Sequence, residues 1–207
     1  MISLFIDTSS SDVSIAILED NKILSSIVKS IPNRHSDCTV SLLSECVKNC
    51  NLTPSDIQKI MVVTGPGSFT GLRIGVTIAK VYAYVLNIAI VPVSSLKMRA
   101  ISLEHQFCLS LIDARNDNYY IGLYDEYNHN IIEERFTDKG NVLKIIDKYH
   151  PVIVSDNNGV IGEYSYQKQE LNISKIVEYY QNEISMNPHL VNPNYLKLPQ
   201  ALEDVKK

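Results

Sequence analysis

The sequence runs to 207 residues, of which 45% are hydrophobic, enough to build a real core in one large domain or two small ones. Nineteen basic against 23 acidic residues give a formal charge of −4, and no window clusters Lys and Arg as phosphate-backbone binding requires, so any nucleic acid is expected on another chain. No run approaches the roughly 18 apolar residues of a membrane helix, and Met1-Ile2-Ser3-Leu4 leads to Asp7 without a basic leader, so the expected location is cytoplasmic, with no membrane and no export.

Three strand-like runs open the chain: Ile2 to Ile6, Val13 to Leu18 with alternating apolar positions, and Ile23 to Val28 after the turn Asp20-Asn21-Lys22. From Ser36 to Cys50 the set Cys38, Leu42, Leu43, Cys46, Val47 and Cys50 follows helical spacing, and Asn51 stands where a left-handed cap falls. Three of the four cysteines lie in this stretch and read as small buried side chains in a reducing compartment. Zinc held by His35, Cys38, Cys46 and Cys50 is rejected, because residues 35 to 50 on one helix span about 22 Å. Ile60-Met61-Val62-Val63 lacks alternation, which predicts a strand covered on both faces. A helix from about Thr70 to Leu86, a strand Ala89 to Val93 and a helix from Ser95 to about Leu103 complete the order βββαβαβα.

Strands at Phe107 to Ile112, Tyr119 to Tyr124 and Ile131 to Phe136, a helix Val142 to Tyr149 and a strand Val152 to Val154 repeat that order in shorter form. The expected boundary falls near residue 105. Beyond it, Asn157-Asn158-Gly159 signals a turn, Ile173 to Tyr180 a helix, Pro188 and Pro193 breaks, and Glu203 to Lys207 a polar tail.

The segment Thr64-Gly65-Pro66-Gly67-Ser68-Phe69-Thr70-Gly71 joins a buried strand to a helix, where open α/β sheets place ligands. The dinucleotide pattern fails because Thr70 occupies its third glycine position, and the Walker pattern fails at Leu72 and Arg73. Gly71, Gly75, Ala79 and Ala83 recur every four residues along one helix face, so something approaches closely: the helix's own sheet, or another chain. Leu72, Val76 and Leu86 lie on the opposite face, for the home core.

Ile6-Asp7-Thr8-Ser9, Arg34-His35-Ser36, the run Gly65 to Gly75, Val93-Ser94-Ser95-Leu96 and Asp113-Ala114-Arg115 together resemble the TsaB (YeaZ) family, in matching order and closely through residue 125. Pro193-Asn194-Tyr195-Leu196-Lys197 resembles the family's terminal Pro-x-Tyr-Leu-Arg, with Lys in the last place. The resemblance implies an α/β, actin-like ATPase (sugar kinase/Hsp70/actin) fold of two RNase H-like lobes, the second abbreviated. Residues 1–104 are then an N-terminal lobe carrying the dimerisation helices, and 105–207 a shortened C-terminal lobe and tail. It further implies a non-catalytic subunit that supports threonylcarbamoylation of the adenosine next to the anticodon in tRNAs. Such a subunit pairs with the related catalytic subunit TsaD, together with the ATPase TsaE, while a TsaC-type enzyme supplies threonylcarbamoyl-adenylate. The chain is then expected to meet tRNA only through the complex and, because a face built for a related partner can meet its own copy, to form a homodimer when isolated.

On this footing the partner-binding residues are expected to be Cys38, Leu42 and Cys46 on the first helix, and Gly71, Arg73, Gly75, Ala79 and Ala83 on the second. Catalytic relatives carry a His-x-x-x-His metal pair where this sequence has Ser95 and Arg99, and a guanidinium does not ligate a metal. That leaves no metal site and argues against a glycoprotease-type metallopeptidase. His35, Ser36 and Asp37 are sequence neighbours and form no nucleophile, base and orienter constellation; Ser36 or Asp37 reads better as a helix cap. Asp7, Gly67 and Asp113 match cleft positions of the actin-like ATPases, but Thr8-Ser9-Ser10 supplies no glycine after Asp7, which weakens a stand-alone ATPase or kinase. No cofactor is expected to be held firmly by this chain alone; ATP or ADP belongs at the interface of the complex.

Overall fold

The structure, a computed structural model, describes residues 1–31 and 35–197, with the side chains of 35–37 excepted. Arg34, the side chain of His35, the expected cap at Ser36 or Asp37 and the tail 203–207 lie outside the described residues.

β1 (Ile2–Asp7), β2 (Asp12–Glu19) and β3 (Lys22–Ser30) form an antiparallel meander, with Asp20 in the left-handed region at the second turn. Parallel pairing needs a crossover, and two helices supply it. α1 (His35–Asn49) leads to β4 (Lys59–Gly65), parallel to β1, and α2 (Phe69–Leu86) leads to β5 (Ile90–Ser94), parallel to β4. The sheet order is β3-β2-β1-β4-β5. The two central parallel strands are apolar on both faces because both are covered: Leu4 to Ile6 and Ile60 to Val63 are fully buried. α1 and α2 pack on one face, where Leu43, Cys46, Val76 and Ala79 meet Leu4, Ile6 and Ile15. α3 (Lys97–Ile101) and α5 (Ile173–Tyr180) cover the other, where Met98, Ile176 and Val177 meet Phe5, Met61 and Val93.

The second sheet repeats the plan. β6 (Phe107–Asp113), β7 (Asn118–Asp125) and β8 (Asn130–Asp138) form a meander, and α4 (Lys139–Tyr149) leads to β9 (Val152–Ser155), parallel to β6. Where the first lobe inserts α2, the second has only the short strand β10 (Gly159–Ile161), turning directly into β11 (Tyr164–Lys168), which pairs parallel to β9. The order is β10-β11-β9-β6-β7-β8. Neither β10 nor β11 was legible as a strand, since Asn157-Asn158-Gly159 reads as a turn alone.

The chain then returns to the first lobe. α5 packs there, Met186 bridges Ile90 at the sheet edge, and Val191 is buried with the α1–α2 core. Residues 173–191, grouped by the sequence with the second lobe, therefore lie on the first. α3 lies between the sheets: Met98 and Ile101 belong to the first core, whereas Leu96 and Ala100 meet Cys108, Tyr124 and Val154 of the second.

α2 corrects one expectation. Its 18 residues have a mean hydropathy of 1.2, so by length and composition alone it is apolar enough to cross a membrane. Here a third of it is buried within the protein.

Candidate functional site

β4 ends at Gly65, whose φ of 119° is open to glycine, and the Gly65–Pro66 peptide is cis. The Ser68 hydroxyl caps α2 by accepting the Gly71 N–H at 3.2 Å. The turn is filled by the protein itself. The Ser68 N–H donates to the Ser9 carbonyl at 2.7 Å, the Thr8 hydroxyl to the Gly71 carbonyl at 2.7 Å, and the Ser95 N–H to the Gly65 carbonyl at 3.0 Å. A Cβ at Gly67 would stand 2.4 Å from the Ser9 carbonyl oxygen. At Gly71 it would stand 2.0 Å from the Thr8 carbonyl oxygen, and at Gly75 2.3 Å from Thr8 Oγ1.

The close approach is therefore intramolecular, and the expected docking role of the small-residue face is overturned. Gly71, Gly75, Ala79 and Ala83 are buried against the chain's own first sheet and its β1–β2 connection. Leu42 and Cys46 are core residues as well, the Cys46 thiol donating to Ser25 Oγ at 3.3 Å, and Cys38 is half-buried against the same cluster. Of the eight proposed docking residues only Arg73 faces solvent. Its guanidinium lies 3.9 Å from the centre of the Phe69 ring, and its Nε–H donates to the Tyr195 hydroxyl at 3.0 Å.

The outer side of α2 carries large exposed apolar side chains, whereas on α1 Val40 stands beside the polar Ser41, Ser44, Glu45 and Lys48. Val81, Tyr84 and Val85 on α2 are 56%, 69% and 73% exposed, with Phe69 and Val40 of α1 about half exposed. A hollow of about 420 Å³ between α1 and α2 is lined by Val40, Phe69, Arg73, Ile74 and Ile78.

The cleft between the lobes is a second concavity, of about 510 Å³. Asp7, Asp12 and Ser14 reach it from the first sheet, Asp156, Asn158 and Lys168 from the second, and Arg99 from α3. Burial raises the Asp7 carboxyl above the usual carboxylate range, opposed by the charge of Arg99 and by hydrogen bonding to Ser9. Asp12 is held below that range by the hydrogen bond from Lys168 Nζ at 2.5 Å, which joins the two lobes. Arg99 is 3% exposed; burial lowers its pKa, against the pull of Asp156 and Asp7.

Of the expected cleft residues, then, only Asp7 lines the cavity. Asp113 is exposed and caps a turn, accepting the Arg115 N–H at 2.7 Å, and Gly67 is packed against Ser9. Asp156, Lys168 and Arg99 line the cleft without having been among its expected residues. Asp156 was within reach, since it follows β9 as the glycine turn follows β4, and laying the two halves over one another marks it.

Two lobes with this repeated strand order, closed around an interlobe cleft, define an actin-like ATPase fold. The family model described as TsaD: tRNA N6-adenosine threonylcarbamoyltransferase matches residues 22–190. The chain is 36% identical over 145 residues, 69% of its length, to the tRNA threonylcarbamoyladenosine biosynthesis protein TsaB of Bacillus subtilis. It is 30% identical over 200 residues, 86% of its length, to a tRNA N6-adenosine threonylcarbamoyltransferase of Fusobacterium nucleatum. It spans 63% and 58% of the lengths of these two relatives. A crystal structure of a Pseudomonas aeruginosa protein with similarity to peptidase YEAZ superposes with a TM-score of 0.80 at 21% identity, covering 95% of this chain and 99% of the other. The chain belongs to the family of that model, in its TsaB (YeaZ) branch.

Proposed function

We propose that this chain is a non-catalytic subunit required for threonylcarbamoylation of the adenosine next to the anticodon in tRNAs, acting as a heterodimer with the catalytic subunit TsaD and together with TsaE. The observation that carries the reading is the uncovered apolar strip of α2, Val81, Tyr84 and Val85, continued by Phe69 and by Val40 of α1. Clustered large apolar and aromatic side chains on a helix pair are what a permanent partner covers. The names of the Bacillus subtilis and Fusobacterium nucleatum relatives supply the reaction, and the second, a transferase that aligns with 86% of this chain, supplies the kind of partner, a homologue.

Catalysis falls to that partner. Ser95 and Arg99 stand where the resemblance puts a metal-binding histidine pair, and Arg99 offers no lone pair. A face shaped for a homologous partner meets its own copy about a twofold axis, so the isolated chain is a homodimer. Nucleotide, where it takes part, sits at the face shared with the partner; tRNA is met through the complex, in the cytoplasm.

Tyr84→Glu and Val85→Glu put charges on this strip without touching the core. Each is expected to abolish co-purification with TsaD and to turn the homodimer into a monomer in light scattering, with the thermal midpoint unchanged. In a reconstituted tRNA-modification reaction both should behave as though the chain had been omitted. Full binding and full activity by both variants would overturn the reading.

A further inference from the structure

The actin-like fold implies a nucleotide and its divalent cation in the interlobe cleft, and the residues present here do not fit that group. The first hairpin, which would approach phosphate, is Thr8-Ser9-Ser10, and it is occupied: Ser9 takes the Ser68 N–H and Thr8 bonds to Gly71. The cavity lining holds four carboxyl groups, Asp7, Asp12, Asp156 and Glu170, against two cations, Arg99 and Lys168. One of those cations, Lys168, is already committed to Asp12. A triphosphate brought into that field meets net repulsion.

What the cleft does contain is a cation of its own. Arg99 stands on the interlobe helix α3, and its side chain is almost wholly buried. One end of the guanidinium donates to the Ser95 carbonyl, while Nε has no hydrogen-bond partner among the described residues. Asp7 and Asp156 line the same cavity as Arg99 from opposite lobes, Asp7 ending β1 of the first sheet and Asp156 following β9 of the second, and neither makes a direct ion pair with the guanidinium among the described residues. A buried guanidinium is stable only where carboxylates answer it, and pulling the lobes apart would take Asp156 away from it.

We propose that Arg99 is a built-in counter-ion that takes the place of a bound cation between Asp7 and Asp156, and so fixes the two lobes in one relative position without any ligand. The cleft is then a joint of constant geometry. The Lys168–Asp12 pair, at 2.5 Å, is a second tie across the same gap. This inference stands independently of the partner-binding reading, because it concerns only groups inside this chain.

The test compares the purified full chain with Arg99→Lys, Arg99→Ala and Asp156→Asn, by small-angle X-ray scattering, amide exchange and calorimetric titration with Mg²⁺ and with Mg²⁺ plus a non-hydrolysable ATP analogue. Arg99→Lys keeps the charge and should scatter like the parent. Arg99→Ala and Asp156→Asn should expand, with amide exchange across β11 faster by roughly tenfold, within the usual span of coupling between sites. Arg99→Ala, which leaves Asp7 and Asp156 in the cavity without that cation, should gain a saturable Mg²⁺ response that restores parental scattering and is absent from Arg99→Ala/Asp7→Asn. If Arg99→Ala does not fold, Asp156→Asn decides, because Asp156 is only half-buried and its amide is nearly isosteric. Unchanged scattering and exchange in Asp156→Asn, or micromolar binding of the nucleotide analogue by the parent chain, would overturn the proposal.

Discussion

Thr8 shows how much one small residue settles. Its hydroxyl bonds the Gly71 carbonyl, its own carbonyl leaves no room for a side chain at Gly71, and its Oγ1 leaves none at Gly75. Gly71→Ala and Gly75→Ala are therefore expected to destabilise the fold by about 1–3 kcal/mol each, the usual cost of overpacking, whereas Thr77→Ala on the exposed side of the same helix should stay within about 0.5 kcal/mol. Urea unfolding of the three variants measures this, and equal midpoints would contradict the packing account. Cys108 illustrates burial acting on chemistry. Its thiol is fully buried and pushed up to about 12, so it carries almost no thiolate near pH 8. Alkylation of the native chain at that pH should spare Cys108 while Cys38, half-buried, reacts; mass spectrometry of the labelled peptides reads the difference.

Among the elements, α2 was the most legible and also the most misread. Its start after the glycine turn, its end near Leu86 and its small-residue face follow from local spacing, and the structure has Ser68 as N-cap and Asn87, with φ 55°, as the left-handed C-cap. Ser68→Ala should cost about 1 kcal/mol, measured by thermal unfolding. Periodicity shows that a face is small but not what lies against it, and the answer here, Thr8, is 63 residues away in the chain. The strands of the first lobe were readable along the chain chiefly because β1, β2 and β4 are long and largely apolar. β10 and β11 were not: they have three and five residues, Tyr164-Ser165-Tyr166-Gln167-Lys168 carries little apolar signal, and their pairing is decided by the exposed edge of β9. Missing β11 also meant missing Lys168 in the cleft. At position 99 a sequence shows an arginine in place of a metal ligand but not the cavity that the residue shares with Asp7 and Asp156.

Taken whole, the molecule is two repeats tied by few charged groups and wrapped by its own C-terminal segment. Lys80 Nζ donates to the Val191 carbonyl at 3.0 Å, the Asn194 N–H to the Thr64 carbonyl at 2.7 Å, and Lys197 lies 5.2 Å from the Phe136 ring of the second lobe. The Lys168–Asp12 tie gives stability a definite dependence on pH. Asp12 titrates lower in the folded chain than its ordinary 3.8, so the pair stabilises above that value, and its contribution is lost as pH falls through the lower folded value. Lys168 is about half exposed, which limits the effect: Lys168→Met should cost about 0.5 kcal/mol at neutral pH, with the difference vanishing in acid. Denaturant curves across pH 2 to 7 compare the two chains, and a constant gap would remove Asp12 as the partner. Asp7, raised by burial, acts with the opposite sign, favouring the fold below 3.8 and losing that contribution as pH rises through its folded value. The replacement of a helical crossover by the β10–β11 hairpin has a consequence for how large an assembly can grow. Among the described residues the α1–α2 face occurs once, in the first lobe, because the second repeat has no equivalent of α2. On the proposed reading, a subunit that presents such a face once pairs and stops, so light scattering of the isolated chain is expected to find a dimer and nothing larger.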